Sequence, residues 1–332
     1  MKMLGWEELK KEIKIKETTV ECPVKGCNET VKRQRRVFKN EDIYKCPKHN
    51  IFISPTTFEY SDPFDNLLWK DTSDKELLKK IDKVKRESRM ARDNSEDAVT
   101  WNIFRFLEKN KLMNGFLNSI IEKQVKSSQV IYWSYSQEEK GSWSQLDRVR
   151  EIFGEERGRG SEPDIIIITD KALFFIEAKL TSPSKIDFNK SHSPEEKEDR
   201  IQKYSRGDRF LKQKSIFKDI IDNKLYELGR FWVIGCTMAE IQKKDFYLIN
   251  LVRGSKEKNI EHDFGKYIDS TQRRIFLRLA WENIYHCISK GSLTKDKEIM
   301  LHYFRNKAIG YENGKLQRAF SIPDKEHEKV NN

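Results

Sequence analysis

The sequence predicts an α/β protein, a mixed sheet flanked by helices, with a small cysteine-bearing module before it and a helical element after it. Three observations predict this. Residues 165–168 and 173–176 are short apolar runs on either side of the polar tetrapeptide Thr169-Asp-Lys-Ala172, the pattern of a buried β-hairpin. Two later apolar runs, 231–237 and 246–252, read as further core strands, with helical apolar spacing over 204–220 ahead of them. Hydrophobic content is low at 37% and charged content high at 35%, yet apolar segments recur, so the chain is expected to fold.

From the start, Gly5-Trp-Glu-Glu-Leu-Lys-Lys-Glu-Ile13 reads as a short amphipathic helix. Cys22-Pro-Val-Lys-Gly-Cys27 is followed, eighteen residues on, by Cys46-Pro-Lys-His49. Two close ligand pairs separated by a strand-like stretch are what a structural Zn²⁺ site requires, and four protein ligands close such a site to catalysis. Five cysteines, an odd number in 332 residues, do not suggest a disulfide framework. The region resembles a zinc ribbon, with 32–38, 42–45 and 51–53 as its strands. Between the knuckles, Lys32-Arg-Gln-Arg-Arg-Val-Phe-Lys39 carries five cations and no acid. Arg33, Arg35 and Arg36 are candidate phosphate contacts, although such a run also suits a solvated edge strand where cations deter aggregation.

Residues 60–74 read as a linker and 75–92 as a charged connecting helix. Asn94-Ser95 can cap a helix running to Leu107, with Glu96, Val99, Ile103 and Leu107 on one face. A carboxylate on the apolar side invites a functional role. First-turn acids also complement the helix dipole, and Asp97 becomes the inward residue if the helix starts one position later. Residues 125–135 read as the first core strand, 148–160 as a flexible basic connection and 181–197 as a long polar loop. Segments 270–288 and 294–309 have helical spacing, and the tail from Pro323 is charged. Cys236, His286, Cys287 and His302 read as packing residues.

The hairpin gathers chemistry at one end. A symmetric turn at Asp170-Lys171 sets Ile168 opposite Leu173, Ile166 opposite Phe175 and Asp164 opposite Glu177. Opposed Cβ atoms stand about 4.5–5.5 Å apart, and Glu177 and Lys179, two apart, point to the same face. Like charges so placed repel, and a hard divalent cation such as Mg²⁺ would compensate them. Lys179 adds a positive charge where a phosphate oxygen or an attacking water could sit. Taken alone, a Glu-x-Lys is more plainly a weak, solvated ion pair.

Pro163-Asp164, a twelve-residue spacer and Glu177-Ala-Lys179 together resemble the PD-(D/E)xK nuclease superfamily, over residues 93–253 or so. The resemblance implies a restriction-endonuclease-like core. It implies that Asp164 and Glu177 bind Mg²⁺ or Mn²⁺, that the backbone carbonyl of Ala178 completes the coordination, and that Lys179 assists the attacking water. A glutamate on the first core helix often faces the metal in that family, and Glu96 is the residue at that place.

Net charge of +11 favours a polyanionic partner. No apolar run approaches the roughly 18 residues of a membrane span, and Met1-Lys-Met lacks a signal-peptide core. A cytoplasmic protein with no membrane partner is therefore expected. Its expected organisation is helix and zinc ribbon (1–60), linker and charged helix (61–92), nuclease core (93–255), and C-terminal helical element and tail (256–332). With the resemblance, the expected function is a Mg²⁺-dependent DNA endonuclease of restriction or phage defence, a homodimer being one assembly open to it. The alternatives are a nucleic-acid-binding zinc protein on a nuclease scaffold that does not cleave, and a repair or recombination nuclease that reads structure.

Overall fold

The computed structural model describes residues 3–35, 38–85, 87–121, 123–156, 162–190, 192–212 and 216–322. The chain divides into two compact units. One comprises Met1–Asp71, Arg89–Phe106 and Trp281–Asn332, the other Thr72–Ser88 and Leu107–Ala280.

The second unit is built on a mixed sheet. Its seven strands are β1 (Ser128–Tyr132), β2 (Tyr135–Ser136), β3 (Gly141–Ser142), β4 (Ile165–Thr169), β5 (Ala172–Ala178), β6 (Asp245–Val252) and β7 (Arg274–Ala280), in the order β7-β6-β5-β4-β1-β2-β3. The hairpin forms in the expected register, with Ile168 opposite Leu173 and Ile166 opposite Phe175. β1 pairs antiparallel with the other edge of β4, whereas β5, β6 and β7 run parallel. Parallel strands covered on both faces read as unbroken apolar runs, and every residue of β5 and β6 is buried.

Four helices of this unit matter here: α1 (Ser144–Ile152), α2 (Pro194–Tyr204), α3 (Phe217–Asp222) and α4 (Tyr226–Gln242). The parallel step from β5 to β6 passes through the last three. α4 lies against the sheet at Gly235, where a Cβ would stand 2.0 Å from the Phe246 ring of β6. Gly235→Ala would have to displace that ring, an overpacking that typically costs about 1–3 kcal/mol.

Residues 231–237 are thus helix, not the strand that their aromatic and β-branched content predicted. α4 is buried along most of its length, so no polar face marks its period. Conversely, 274–280 is strand rather than helix, and helix begins at Trp281–Ser289. The first core strand is shorter than 125–135, because Trp133 and Ser134 turn the chain with φ of 44° and 68°.

Among its described residues the first unit has three small sheets: Thr19–Glu21 with Thr30–Lys32, Lys45–Cys46 with Ile51–Ile53 and Phe58–Tyr60, and Ala308–Glu312 with Lys315–Arg318. Val20, Val31, Ile51, Phe58, Tyr311 and Leu316 meet in one apolar core. Residues 5–13 are bridged backbone rather than helix: Leu9 pairs with Val24, and the Ile13 N–H donates to the Gly314 carbonyl. The segment 61–71 is packed rather than a free linker. Asn66 is fully buried, and its Nδ2 donates to the Met90 and Arg92 carbonyls at 2.8 and 2.7 Å.

The helix Glu96–Lys109 starts where predicted, and Ser95 Oγ accepts the Ala98 N–H at 3.1 Å. Beyond residue 256 the expected helices are present, Trp281–Ser289 and Lys295–Asn306, but so are β7 and the hairpin of 308–318. That part of the chain is mixed rather than helical. Among the described residues no helix is long and apolar enough to cross a membrane.

Candidate functional site

Asp164 directly precedes β4. Its Oδ2 accepts the Ala178 backbone N–H across the hairpin at 2.8 Å, and its Oδ1 accepts the Trp133 indole N–H at 2.9 Å. Trp133 stands in the two-residue turn between β1 and β2, in left-handed backbone. Bulky side chains rarely adopt that conformation, which costs on the order of 1–3 kcal/mol. The turn aims the indole at the carboxylate.

Glu177 lies near the end of β5 and is 5% exposed. Its Oε1 is 2.7 Å from Lys179 Nζ, while its Oε2 has no hydrogen-bond partner among the described residues. Lys179 Nζ also meets Glu227 Oε2 at 3.2 Å. Burial pushes the Glu177 carboxyl well above the usual carboxylate range; Lys179 pulls it back, but Asp164 and Glu227 add to the rise. Burial likewise pulls the Lys179 ammonium down, and the carboxylates of Glu177, Glu227 and Asp164 outweigh it and lift it well above the usual lysine range.

Glu177 and Glu227 both pair with the Lys179 ammonium, and among the described residues no donor meets the buried Glu177 Oε2. Clustered carboxylates and an unsatisfied buried acceptor are the kind of environment that a divalent cation compensates. The structure brings Asp164, Glu177, Ala178 and Lys179 together as the spacing predicted. Glu96, the first residue of the helix Glu96–Lys109, belongs to the other unit.

Sequence reasoning missed Glu227 because 231–237 was read as strand. Leu228, Trp232, Gly235 and Ala239 carry helical spacing that would have placed Glu227 in a first turn, where the helix dipole favours a carboxylate.

Another buried glutamate of this unit was also missed. Glu155 Oε1 accepts from Arg230 Nε at 2.9 Å and Tyr204 OH at 2.7 Å, and its Oε2 accepts from Arg230 Nη2 at 2.5 Å. Burial alone would raise this carboxyl, but Arg230 and Tyr204 hold it below the usual range.

In the first unit, the ligand atoms of Cys22, Cys27, Cys46 and His49 all lie within 4.8 Å of one another. Cys27 and Cys46 Sγ are 3.9 Å apart, and His49 Nδ1 stands 3.6 Å from Cys22 Sγ and 3.5 Å from Cys46 Sγ. Tetrahedral zinc, with Zn–S of about 2.3 Å and Zn–N of about 2.0–2.1 Å, requires edges of about 3.8 and 3.6 Å. The four residues could hold a metal ion such as zinc. Two tight turns shape the cluster: Gly26 takes φ of 74° before Cys27, and the Asn50 N–H closes on the Cys46 carbonyl at 2.9 Å. Burial pushes the Cys22 thiol far up, with Cys46 adding to the rise, and a cation would reverse both effects.

The basic run leaves its strand at Lys32. Arg33 is half-buried with its Nη1 on the Lys16 carbonyl at 3.2 Å, and Arg35 is exposed. Arg36 lies outside the described residues, as does 157–161 of the basic connection. No protein-family model, curated protein or solved structure matches the chain.

Proposed function

We propose that the protein is a divalent-metal-dependent nuclease of the PD-(D/E)xK type, hydrolysing phosphodiester bonds in DNA. One observation carries this reading: Asp164, Glu177 and Lys179 stand together at the end of β5, where, among the described residues, no donor meets the buried Glu177 Oε2. A purely structural pair would be expected to satisfy both carboxylate oxygens, as Arg230 and Tyr204 do for Glu155.

Asp164 and Glu177 would hold Mg²⁺ or Mn²⁺, joined on the family's pattern by the Ala178 carbonyl. Such an ion would polarise the phosphoryl oxygen and lower the pKa of the attacking water. Lys179, spanned by Glu177 and Glu227, would orient that water or stabilise charge growing on the phosphate. Glu227 would keep Lys179 on station. Glu96 takes its metal-facing role from the resemblance alone. The Cys22, Cys27, Cys46 and His49 shell is complete with four protein ligands, so its ion would be structural Zn²⁺. Arg33, Arg35 and Arg36 would add phosphate contacts, and the net charge suits a polyanion. Restriction or phage defence is the setting that family analogy suggests.

The ion pairs on both sides of Lys179 favour a second reading, in which the cluster is a staple and the protein binds nucleic acid without cutting it. Incubating the purified protein with supercoiled, linear and branched DNA, with and without added Mg²⁺, separates the two. Mg²⁺-dependent cleavage is expected. Binding without cleavage of any substrate would select the staple.

A further inference from the structure

β6 is buried along its whole length, and at Asn250 an amide interrupts its apolar run. That residue pairs with Glu177 of β5. Paired side chains of neighbouring strands lean to the same face, on backbones about 4.8 Å apart. Asn250 is fully buried, and its Oδ1 accepts the Ser184 hydroxyl at 3.0 Å. Ser184 is fixed in turn, its backbone N–H donating to Glu257 Oε1 at 3.0 Å. Asn250 Nδ2 has no partner among the described residues.

A buried donor without an acceptor and a buried acceptor without a donor, Glu177 Oε2, thus occupy adjacent positions on one face of the sheet. Each orphaned group gives up its hydration without gaining a partner, which costs stability. Valine or leucine would avoid that cost, and such residues are the usual occupants of a parallel strand covered on both faces. An asparagine here is economical only if its N–H is used.

We propose that Asn250 is a positioning residue for Glu177. Clamped by Ser184, its amide is held beside the Glu177 carboxylate to donate to it through one bridging water, and so fixes the orientation in which that carboxylate receives a divalent cation. The inference rests on the reading of Asp164 and Glu177 as cation ligands.

The test is calorimetric titration of Mn²⁺ into the full-length, zinc-retaining protein, with a thermal melt of each variant. Asn250→Leu keeps the branching and removes the donor. It should weaken Mn²⁺ binding about tenfold, the usual scale for losing a group that orients a metal ligand. Ser184→Ala leaves the amide but frees it, and should weaken binding on the order of threefold. Asp164→Asn should nearly abolish binding. If it does while both Asn250→Leu and Ser184→Ala bind like wild type, the positioning role is overturned and the cation site stands. Should Asn250→Leu fail to fold, wild-type affinity in Ser184→Ala overturns the role by itself. Wild-type binding no tighter than that of Asp164→Asn would bring down the cation site, and the positioning role with it.

Discussion

Glu155 and Glu177 are both buried in the same unit, yet their surroundings differ in kind. Glu155 meets a guanidinium at both oxygens and a phenol at one, and is held below the usual carboxylate range. Glu177 meets one ammonium at one oxygen, faces two further carboxylates and is pushed well above that range. A fold that can satisfy a buried glutamate fully at one place has left another in deficit. Such a deficit costs stability unless a ligand removes it, which is why strongly perturbed groups mark candidate functional sites.

The largest effect expected from this contrast concerns the first unit, where buried thiols likewise gain their missing partner from a cation. Structural zinc contributes on the order of 10 kcal/mol to small folds. Elemental analysis should find about one zinc per chain, lost together with the cooperative melt of that unit when Cys22 and Cys46 are both replaced by Ser. Protein purified without chelator and free of zinc would contradict this.

Next comes Glu155→Gln, which removes the buried carboxylate that Arg230 meets through two of its nitrogens and should cost about 3–5 kcal/mol in denaturant unfolding. The sign of its pH dependence follows from the lowered carboxyl. The contribution is present above the ordinary value of 4.5 and lost as pH falls through the depressed folded value. Wild type and Glu155→Gln should therefore converge in stability on acidification. A gap constant down to low pH would remove the ion pair as its cause.

Effects on rate follow. Lys179→Ala should keep Mn²⁺ binding and lose on the order of 10²–10⁴ in cleavage rate, the range of a positioned proton-handling group. Glu227→Gln should lose less, on the order of tenfold, because Lys179 keeps Glu177. Glu96→Gln should be milder than Lys179→Ala. A wild-type rate in Lys179→Ala would assign the lysine to the fold. The smallest effect belongs to the surface: neutralising Arg33, Arg35 and Arg36 should flatten the log–log salt dependence of DNA affinity by roughly 0.9 per lost contact. An unchanged slope would leave those arginines solvated.

What was legible in the sequence was local. The hairpin register followed from two apolar runs and a short turn, and the Cys and His ligands sit in two close pairs. Asp164, Glu177 and Lys179 came together because one hairpin carries all three. Glu155 and Arg230 are seventy-five residues apart, and no pairing between such positions is written in a local pattern. α4 hid its period by being buried almost throughout, and Glu227 was hidden with it. β7 carries Ile275 and Leu279 four apart, a spacing that imitates a helix. The hairpin of 308–318 was announced by Asn313-Gly314, a strong two-residue turn signal that the neighbouring helical spacing obscured.

The central claim is that Glu177 serves a cation at the expense of the fold, and one paired measurement on Glu177→Gln and Asp164→Asn tests it most directly. Each purified variant is assayed for Mg²⁺-dependent cleavage and melted without added Mg²⁺ alongside wild type. Relief of carboxylate repulsion should leave the melting temperature of Glu177→Gln unchanged or slightly raised. Asp164→Asn should melt modestly lower, because one of its two accepted hydrogen bonds is lost. Cleavage by both should fall by orders of magnitude because the ion is poorly held. Cleavage at the wild-type rate by folded Asp164→Asn or Glu177→Gln would contradict the account.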